Sequence, residues 1–217
     1  MIKLLIFDMD GTLIDSDEIL FKTWSELLKI YRPSDSFTIE DTRRFSGPPL
    51  ENSLKEVFPE YDLEFIRKAY RKATTKYYDT DLHFFGNEET VIKKFYEDGL
   101  ILTVDTNKEK DMSIKCLKQK QLDTYFSEII GIKEVDNIKP YPDGVYKILE
   151  KFNVKKDEVL FVGDTDFDLI TADKAGVKSA LMTLKPRKFK HKDLAYFVCD
   201  TFDDLYLKVN HYNKSNP

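Results

Sequence analysis

The sequence is poor in the residues that build disulfide frameworks and zinc sites. Its 217 residues include two cysteines and three histidines, and neither set has the spacing of a metal site. Cys116 and Cys199 lie far apart, and we expect both to be reduced, buried thiols of a cytosolic protein. Neither a zinc site nor a disulfide framework is therefore predicted.

Long apolar segments and an excess of positive charge are also missing. No stretch approaches the roughly 18 apolar residues of a membrane helix, and the apolar start Met1–Ile6 is too short for a signal peptide. The net charge is −5, whereas nucleic-acid-binding domains usually carry a basic footprint. We therefore expect a cytoplasmic protein that binds neither membranes nor nucleic acids.

What the chain does contain is a set of short, continuous apolar runs that end in polar or glycine-containing turns. Continuous rather than alternating runs are typical of strands buried on both faces. The runs are Lys3–Phe7, Leu100–Val104, Glu128–Ile132, Val159–Val162, Ser179–Thr183 and, more weakly, Tyr196–Cys199.

Helical patterns separate most of these runs. They cover Glu88–Asp98, Lys110–Gln121, Asp143–Phe152 and Asp166–Ala175. Strands that alternate with helices of this length predict an α/β fold with a doubly wound, Rossmann-like parallel sheet. The polar tail His211–Pro217 is expected to be frayed.

The stretch between the first and second predicted strands breaks this alternation. It holds four segments with apolar residues at helical spacing, namely Ile19–Ile30, Thr38–Phe45, Leu50–Phe58 and Leu63–Tyr78. A crossover of about 90 residues is far longer than a βαβ link needs. We predict an inserted helical domain at residues 15–84 and a core domain formed by residues 1–14 and 85–217.

Polar side chains follow four of the predicted strands, at the edge where open parallel sheets bind ligands. They are Asp8 and Asp10, then Thr106 and Asn107, then Lys139, and finally Asp164 and Asp168. Carboxylates gathered at one edge would repel one another unless a divalent cation lay among them, and an all-oxygen site suits Mg²⁺. A lysine and a threonine hydroxyl suit a phosphate, and an aspartate near the metal could attack phosphorus.

These segments together resemble the four motifs of the haloacid-dehalogenase superfamily of phosphotransferases. The motifs are DMDGT (Asp8–Thr12), the threonine of TN (Thr106), the lysine of KPYPD (Lys139) and GDTDFD (Gly163–Asp168). The resemblance covers nearly the whole chain. It implies a Mg²⁺-dependent phosphatase whose helical insertion is a cap domain, similar to the phosphoglycolate phosphatase branch.

Carried over residue by residue, the resemblance implies distinct roles for these side chains. Asp8 would be the nucleophile that forms an aspartyl phosphate, and Asp10 the general acid–base. Asp8, the backbone carbonyl of Asp10 and Asp164 would hold the metal, with Asp168 as an outer ligand through water. Thr106, Asn107 and Lys139 would bind the phosphoryl group. The dehalogenase branch lacks a carboxylate at Asp10, so phosphoester chemistry is expected here.

A glycine–proline–proline turn in the insertion is a second candidate for substrate contact. The turn, in SGPPLENSL (Ser46–Leu54), opens a helix whose free N–H groups could meet an anion. In capped relatives a similar turn faces the active site. The candidates are Arg43, Arg44, Ser46, Gly47 and Pro48, and the alternative is a turn that only stabilises the cap.

The remaining aspartates near the motifs have simpler interpretations. Asp15 and Asp17, with Ser16, are expected to start the first inserted helix. Asp166 is expected at a helix start, where negative charge is favoured. Asp105 departs from the family pattern, in which an apolar or small residue is usual, and its role is left open.

We expect the partner to be a small phosphorylated metabolite and the protein to be a monomer or weak homodimer. Phosphoglycolate is the first expectation, with pyrophosphate or a nucleotide monophosphate behind it. A phosphomutase of the β-phosphoglucomutase type shares the motifs and stays open. A non-catalytic binding protein on the same fold is the third possibility.

Overall fold

The computed structural model describes residues 1–35, 37–43, 45 and 48–217, with Arg43 described by its backbone alone. Within these residues, six parallel strands form one sheet in the order β3-β2-β1-β4-β5-β6. The strands are β1 (Leu4–Phe7), β2 (Ile101–Asp105), β3 (Phe126–Ile130), β4 (Val159–Gly163), β5 (Lys178–Met182) and β6 (Phe197–Cys199). The strand order reverses between β1 and β4, which defines the switch point of the sheet. The predicted doubly wound α/β fold is confirmed.

The described residues also form nine α-helices. They are α1 (Asp17–Tyr31), α2 (Ile39–Arg43), α3 (Leu50–Val57), α4 (Leu63–Thr80), α5 (Glu88–Glu97), α6 (Lys110–Gln119), α7 (Asp143–Phe152), α8 (Asp166–Ala175) and α9 (Phe202–Ser215). None of these described helices combines the length and hydrophobicity needed to cross a bilayer. Cys116 and Cys199 are both buried, as predicted.

The third strand begins two residues earlier than the apolar run indicates. β3 starts at Phe126, and the chain turns at Gly131, whose N–H donates to a Glu134 carboxylate oxygen at 2.9 Å. The apolar pattern missed Phe126 because the polar Ser127 separates it from the following isoleucines. Gly131 and Ile132, which looked like strand residues, belong to the turn.

The expectation of a frayed tail is wrong for most of the C-terminal segment. α9 continues to Ser215, and Phe202, Leu205 and Val209 anchor it in the core. Near its end, the Asn213 side chain accepts from the N–H of Ile2 at 2.5 Å and donates to the Ile2 carbonyl at 3.0 Å. The polar sequence after residue 210 gave no sign of this anchor, because its partner lies at the other end of the chain.

The chain divides into two compact units. One consists of Met1–Ile14 with Phe84–Pro217, and the other is Asp15–His83. The sheet and helices α5 to α9 make up the first unit, and helices α1 to α4 make up the second.

The second unit begins with the expected helix-start residues. Ser16 occupies the N-cap position of α1, although its buried hydroxyl has no hydrogen-bond partner among the described residues. Instead, the N–H of Asp17 at the helix start donates a hydrogen bond to the Asp15 carboxylate at 3.3 Å. The Asp15 N–H donates to the His83 carbonyl at 3.0 Å, so the two ends of the unit are joined.

A cluster of aromatic side chains forms the core of the second unit. Trp24 is 1% exposed, and its ring centroid lies 4.6 Å from Phe45, 5.3 Å from Tyr70 and 6.1 Å from Phe58. Such ring pairs add to the free energy gained by removing apolar surface from water. Trp24 is therefore the side chain on which the packing of α1 against its neighbours depends most.

Replacing Trp24 by alanine is expected to lower the free energy of unfolding by about 3–5 kcal/mol, because it leaves a cavity among the rings. Urea denaturation followed by far-UV circular dichroism measures this, since Trp24 is the protein's single tryptophan. Ile30→Ala is the control, because Ile30 lies on the same helix and is 61% exposed. Equal losses in the two variants would contradict the central place of Trp24.

Candidate active site

Three buried carboxylates meet at the switch point of the sheet. Asp8 directly follows β1, Asp164 directly follows β4, and Asp168 lies in the first turn of α8. One oxygen from each carboxylate lies within 4.8 Å of the others. They meet because β1 and β4 are adjacent and paired so that Phe7 lies beside Val162.

Two glycines leave the space that these carboxylates occupy. A Cβ atom at Gly11 would lie 2.3 Å from an oxygen of Asp164, and one at Gly163 would lie 2.4 Å from the Cγ of Asp168. Gly11 also has a φ of +85°, which favours glycine. The hydroxyl of Thr12 then donates to Asp164 at 3.0 Å. Each acidic motif thus requires its glycine, because a carboxylate lies too close to the backbone for a Cβ atom.

Lys139 lies between two of the three carboxylates. Its Nζ is 2.8 Å from Oδ1 of Asp8 and 2.7 Å from Oδ1 of Asp168, and its side chain is buried. Burial lowers the pKa of Lys139, but the surrounding carboxylates outweigh this and raise the pKa above its ordinary value. The lysine is therefore a cation at neutral pH.

The loop after β2 forms hydrogen bonds with the backbone of Lys139. The Asn107 side chain donates to the Lys139 carbonyl at 3.2 Å and accepts from the Lys139 N–H at 3.0 Å. The buried Thr106 accepts from the N–H of Lys108 at 3.2 Å through its hydroxyl. The amide of Asn107, expected at the phosphoryl group, is thus engaged with the backbone of Lys139.

Two cations to which the sequence assigned no role also contact the acidic groups. The Nζ of Lys108 lies 3.1 and 2.9 Å from the two carboxylate oxygens of Asp10. Nη1 of Arg187 lies 3.0 Å from Oδ2 of Asp164. Lys108 follows the second motif directly. Arg187 lies in the segment Lys185–Lys192, where five of eight residues are lysine or arginine, a signal visible in the sequence.

Asp166 and Asp168 have different partners although both lie in the first turn of α8. The carboxylate of Asp166 accepts from the backbone N–H of Lys190 at 3.1 Å and from that of His191 at 2.9 Å. These hydrogen bonds fix the backbone of the basic segment. Asp168 accepts from the N–H and hydroxyl of Thr165, the N-cap residue, at 3.0 and 2.7 Å. The predicted helix start at Asp166 is confirmed, and a capping box orients Asp168.

Asp105 is the last residue of β2 and is buried beside the same cluster. A Cβ atom at Gly144 would lie 2.1 Å from its Oδ1, so the carboxylate packs against the start of α7. Its Oδ2 has no hydrogen-bond partner among the described residues. Burial raises the pKa of Asp105 to about 7, although Lys139 lowers it.

The cluster carries more negative than positive charge. In the described residues it contains five carboxylates (Asp8, Asp10, Asp105, Asp164 and Asp168) and three cations (Lys108, Lys139 and Arg187). Burial raises the pKa of Asp8 to about 6, although Lys139 lowers it, and that of Asp164 to about 7, although Arg187 lowers it. With all five carboxylates ionised the formal charge is −2, which a divalent cation would balance, and the oxygen-only donor set fits Mg²⁺.

Most of the predicted cap contacts lie outside the described residues. This applies to Arg44, Ser46, Gly47 and the side chain of Arg43. Pro48 is described and half-buried, just before the start of α3. Their contact with substrate stays a prediction.

Comparison with known proteins identifies the family. The family model described as haloacid dehalogenase-like hydrolase matches residues 5–182. The chain belongs to this family. The match spans all four motifs and confirms the predicted family, and together with the relatives named below it confirms the prediction of a phosphatase-type enzyme.

Relatives within the family cover most or all of the chain. Pyrophosphatase PpaX of Halalkalibacterium halodurans is 31% identical over 181 residues, which is 83% of each chain. Pyrophosphatase PpaX of Bacillus cereus is 28% identical over 216 residues, 99% of each chain. A solved haloacid dehalogenase-like hydrolase from Bacteroides fragilis matches with a TM-score of 0.86 at 23% identity, covering 94% of this chain and 100% of that one.

Asp105 should make the stability of the metal-free protein depend on pH. Its pKa is about 7 when folded, whereas the ordinary value for an aspartate is 3.8. The folded protein therefore holds a proton that the unfolded chain releases, so stability falls as the pH rises from about 4 to 7. In Asp105→Asn we expect this fall to be shallower.

Urea denaturation in chelator at about pH 5 and pH 8 tests this expectation. Asp173→Asn, which changes an exposed carboxylate on α8, is the control. A loss of stability in Asp105→Asn that parallels the parent across this range would contradict it.

Arg187 should compete with a metal ion for Asp164, because both are cations that bind one carboxylate. Calorimetric titration of Arg187→Met with Mg²⁺ should give a dissociation constant about tenfold lower than that of the parent, equivalent to about 1.4 kcal/mol. Lys188→Met, an exposed neighbour in the same segment, should leave it unchanged. Unchanged or weaker Mg²⁺ binding by Arg187→Met would refute the competition.

Proposed function

We propose that the protein is a Mg²⁺-dependent phosphatase of a small phosphorylated metabolite, with pyrophosphate as the first candidate. The relatives named pyrophosphatase PpaX support this order. Phosphoglycolate, the first expectation from the sequence, becomes the second candidate, followed by nucleotide monophosphates. The division into a catalytic core and a cap domain at residues 15–84 is part of this proposal.

One observation carries the proposal. A buried lysine pairs with Asp8 and Asp168 at 2.8 and 2.7 Å, and Asp164 completes a cluster of three carboxylates. Phosphoryl transfer needs little covalent chemistry from a protein but depends on positioning and on neutralising the charge of the phosphoryl oxygens. Paired carboxylates beside a fixed cation meet both needs.

The proposed reaction has two steps. In the first, a carboxylate oxygen of Asp8 bonds to phosphorus while the bond to the leaving oxygen breaks, and Asp10 gives that oxygen a proton. In the second, Asp10 takes a proton from water as the water attacks phosphorus, which releases phosphate and restores Asp8. Lys139 and Thr106 bind the phosphoryl oxygens in both steps.

The residues proposed to hold Mg²⁺ are Asp8, the backbone carbonyl of Asp10, Asp164 and Asp168. When bound, Mg²⁺ would supply positive charge to the phosphoryl oxygens and reduce the repulsion among the carboxylates. Within the chain itself, Lys139 pairs with Asp8 and Asp168 and fixes the orientation of both carboxylates before substrate arrives.

Asp8→Asn tests the nucleophile. An amide cannot form the phosphoryl ester, so phosphate release from pyrophosphate with Mg²⁺ should fall by about 1,000-fold or more. Asp173→Asn, an exposed aspartate of α8, is the matched control and should keep the parent rate. Activity near the parent level in Asp8→Asn would reject the assignment. Isomerisation of a sugar phosphate without phosphate release would favour the phosphomutase instead.

A further inference from the structure

We propose that Lys108 binds the leaving side of the substrate and selects substrates whose leaving group is an anion. The inference rests on the proposed phosphatase function and names the substrate class that this site takes. The leaving group of pyrophosphate is phosphate and that of phosphoglycolate is glycolate, so both substrates belong to this class. The leaving group of phenyl phosphate is phenol, which is neutral after protonation, so phenyl phosphate does not belong to it.

The position of Lys108 follows from its contact with Asp10. A general acid must reach the leaving oxygen at a hydrogen-bond distance of about 2.6–3.2 Å. The Nζ of Lys108 is 2.9 and 3.1 Å from the two oxygens of Asp10. The ammonium group therefore lies within about 6 Å of the leaving oxygen of any substrate that Asp10 protonates.

Hydrogen bonds fix both the N–H and the carbonyl of Lys108, so the side chain starts from a defined backbone position. Its N–H donates to the Thr106 hydroxyl at 3.2 Å, and its carbonyl accepts from the N–H of Ile132 at 3.0 Å. A Cβ atom at Gly131 would lie 2.7 Å from the Lys108 carbonyl oxygen, so the two loops touch. A group on such an anchored turn loses little conformational freedom when it binds a ligand.

The other two cations of the cluster are bound to different carboxylates. Lys139 pairs with Asp8 and Asp168, and Arg187 pairs with Asp164. Of these three cations, Lys108 contacts Asp10, the carboxylate proposed to protonate the leaving group. The side chain of Asp10 is 25% exposed, and that of Lys108 is 10% exposed. An incoming ligand can therefore reach this pair.

Once Asp10 has given up its proton, its carboxylate would repel an anionic leaving group unless a cation lay beside it. Lys108 supplies that cation and can turn from the carboxylate to the new anion, because an ammonium group is a compact charge on a flexible stem. A neutral leaving group is not stabilised when Lys108 turns towards it. The loss of Lys108 should thus affect the two kinds of substrate unequally, whereas a lysine that only positions Asp10 would affect them equally.

Lys108→Met separates these roles, because it removes the charge and keeps the length of the side chain. We measure kcat/KM with Mg²⁺ for pyrophosphate and phenyl phosphate. The value for pyrophosphate should fall by roughly 100-fold, as when one charge-stabilising group is lost, and the value for phenyl phosphate by less than about threefold. Lys108→Arg should recover most of the pyrophosphate activity. Lys133→Met, an exposed lysine paired with Glu109, is the control.

Each other outcome has a definite meaning. Equal losses for both substrates, or no loss for either, would overturn the role of Lys108 while leaving the phosphatase intact. A parent enzyme that releases phosphate from neither substrate would overturn the proposed function and this inference with it. Should Lys108→Met not fold, as judged by circular dichroism, Lys108→Gln gives the same comparison. Inhibition of phenyl phosphate hydrolysis by pyrophosphate, weakened in the variant, gives an independent measure.

Discussion

The buried pairing of Lys139 with Asp8 and Asp168 is the interaction on which the rest of the site depends. A buried ammonium group and buried carboxylates are costly unless each finds an opposite charge and further hydrogen bonds. The surrounding residues provide these bonds. Asn107 fixes the backbone of Lys139, and Thr165 fixes the carboxylate of Asp168. The proposed chemistry uses this pairing, because phosphoryl transfer requires carboxylates and a cation in fixed positions.

The sequence was most informative where the signal is local. Asp8 and Asp164 follow apolar runs directly, and the sheet brings together the ends of adjacent parallel strands, so their meeting at one edge could be predicted. Arg187 and Asn213 could not be placed in this way. Their partners, Asp164 and Ile2, lie far away in sequence, and only the folded chain brings them together.

Asp105 lies between these cases, since the sequence marked it as unusual without indicating a role. The structure buries it at the end of β2, beside the start of α7, with one oxygen that has no hydrogen-bond partner in the described part of the chain. It adds to the negative charge around Lys139. Together with Lys108, Lys139 and Arg187, this gives a site with charges of both signs, as an anionic substrate with a metal ion would require.

The most direct test of the account is to capture the phosphorylated form of Asp8. Enzyme mixed with pyrophosphate and Mg²⁺ is quenched in acid and reduced with borohydride, which converts an aspartyl phosphate to homoserine. Peptide mass spectrometry then locates the change. We predict homoserine at position 8. Homoserine at another aspartate, or none while phosphate is released, would contradict Asp8 as the nucleophile.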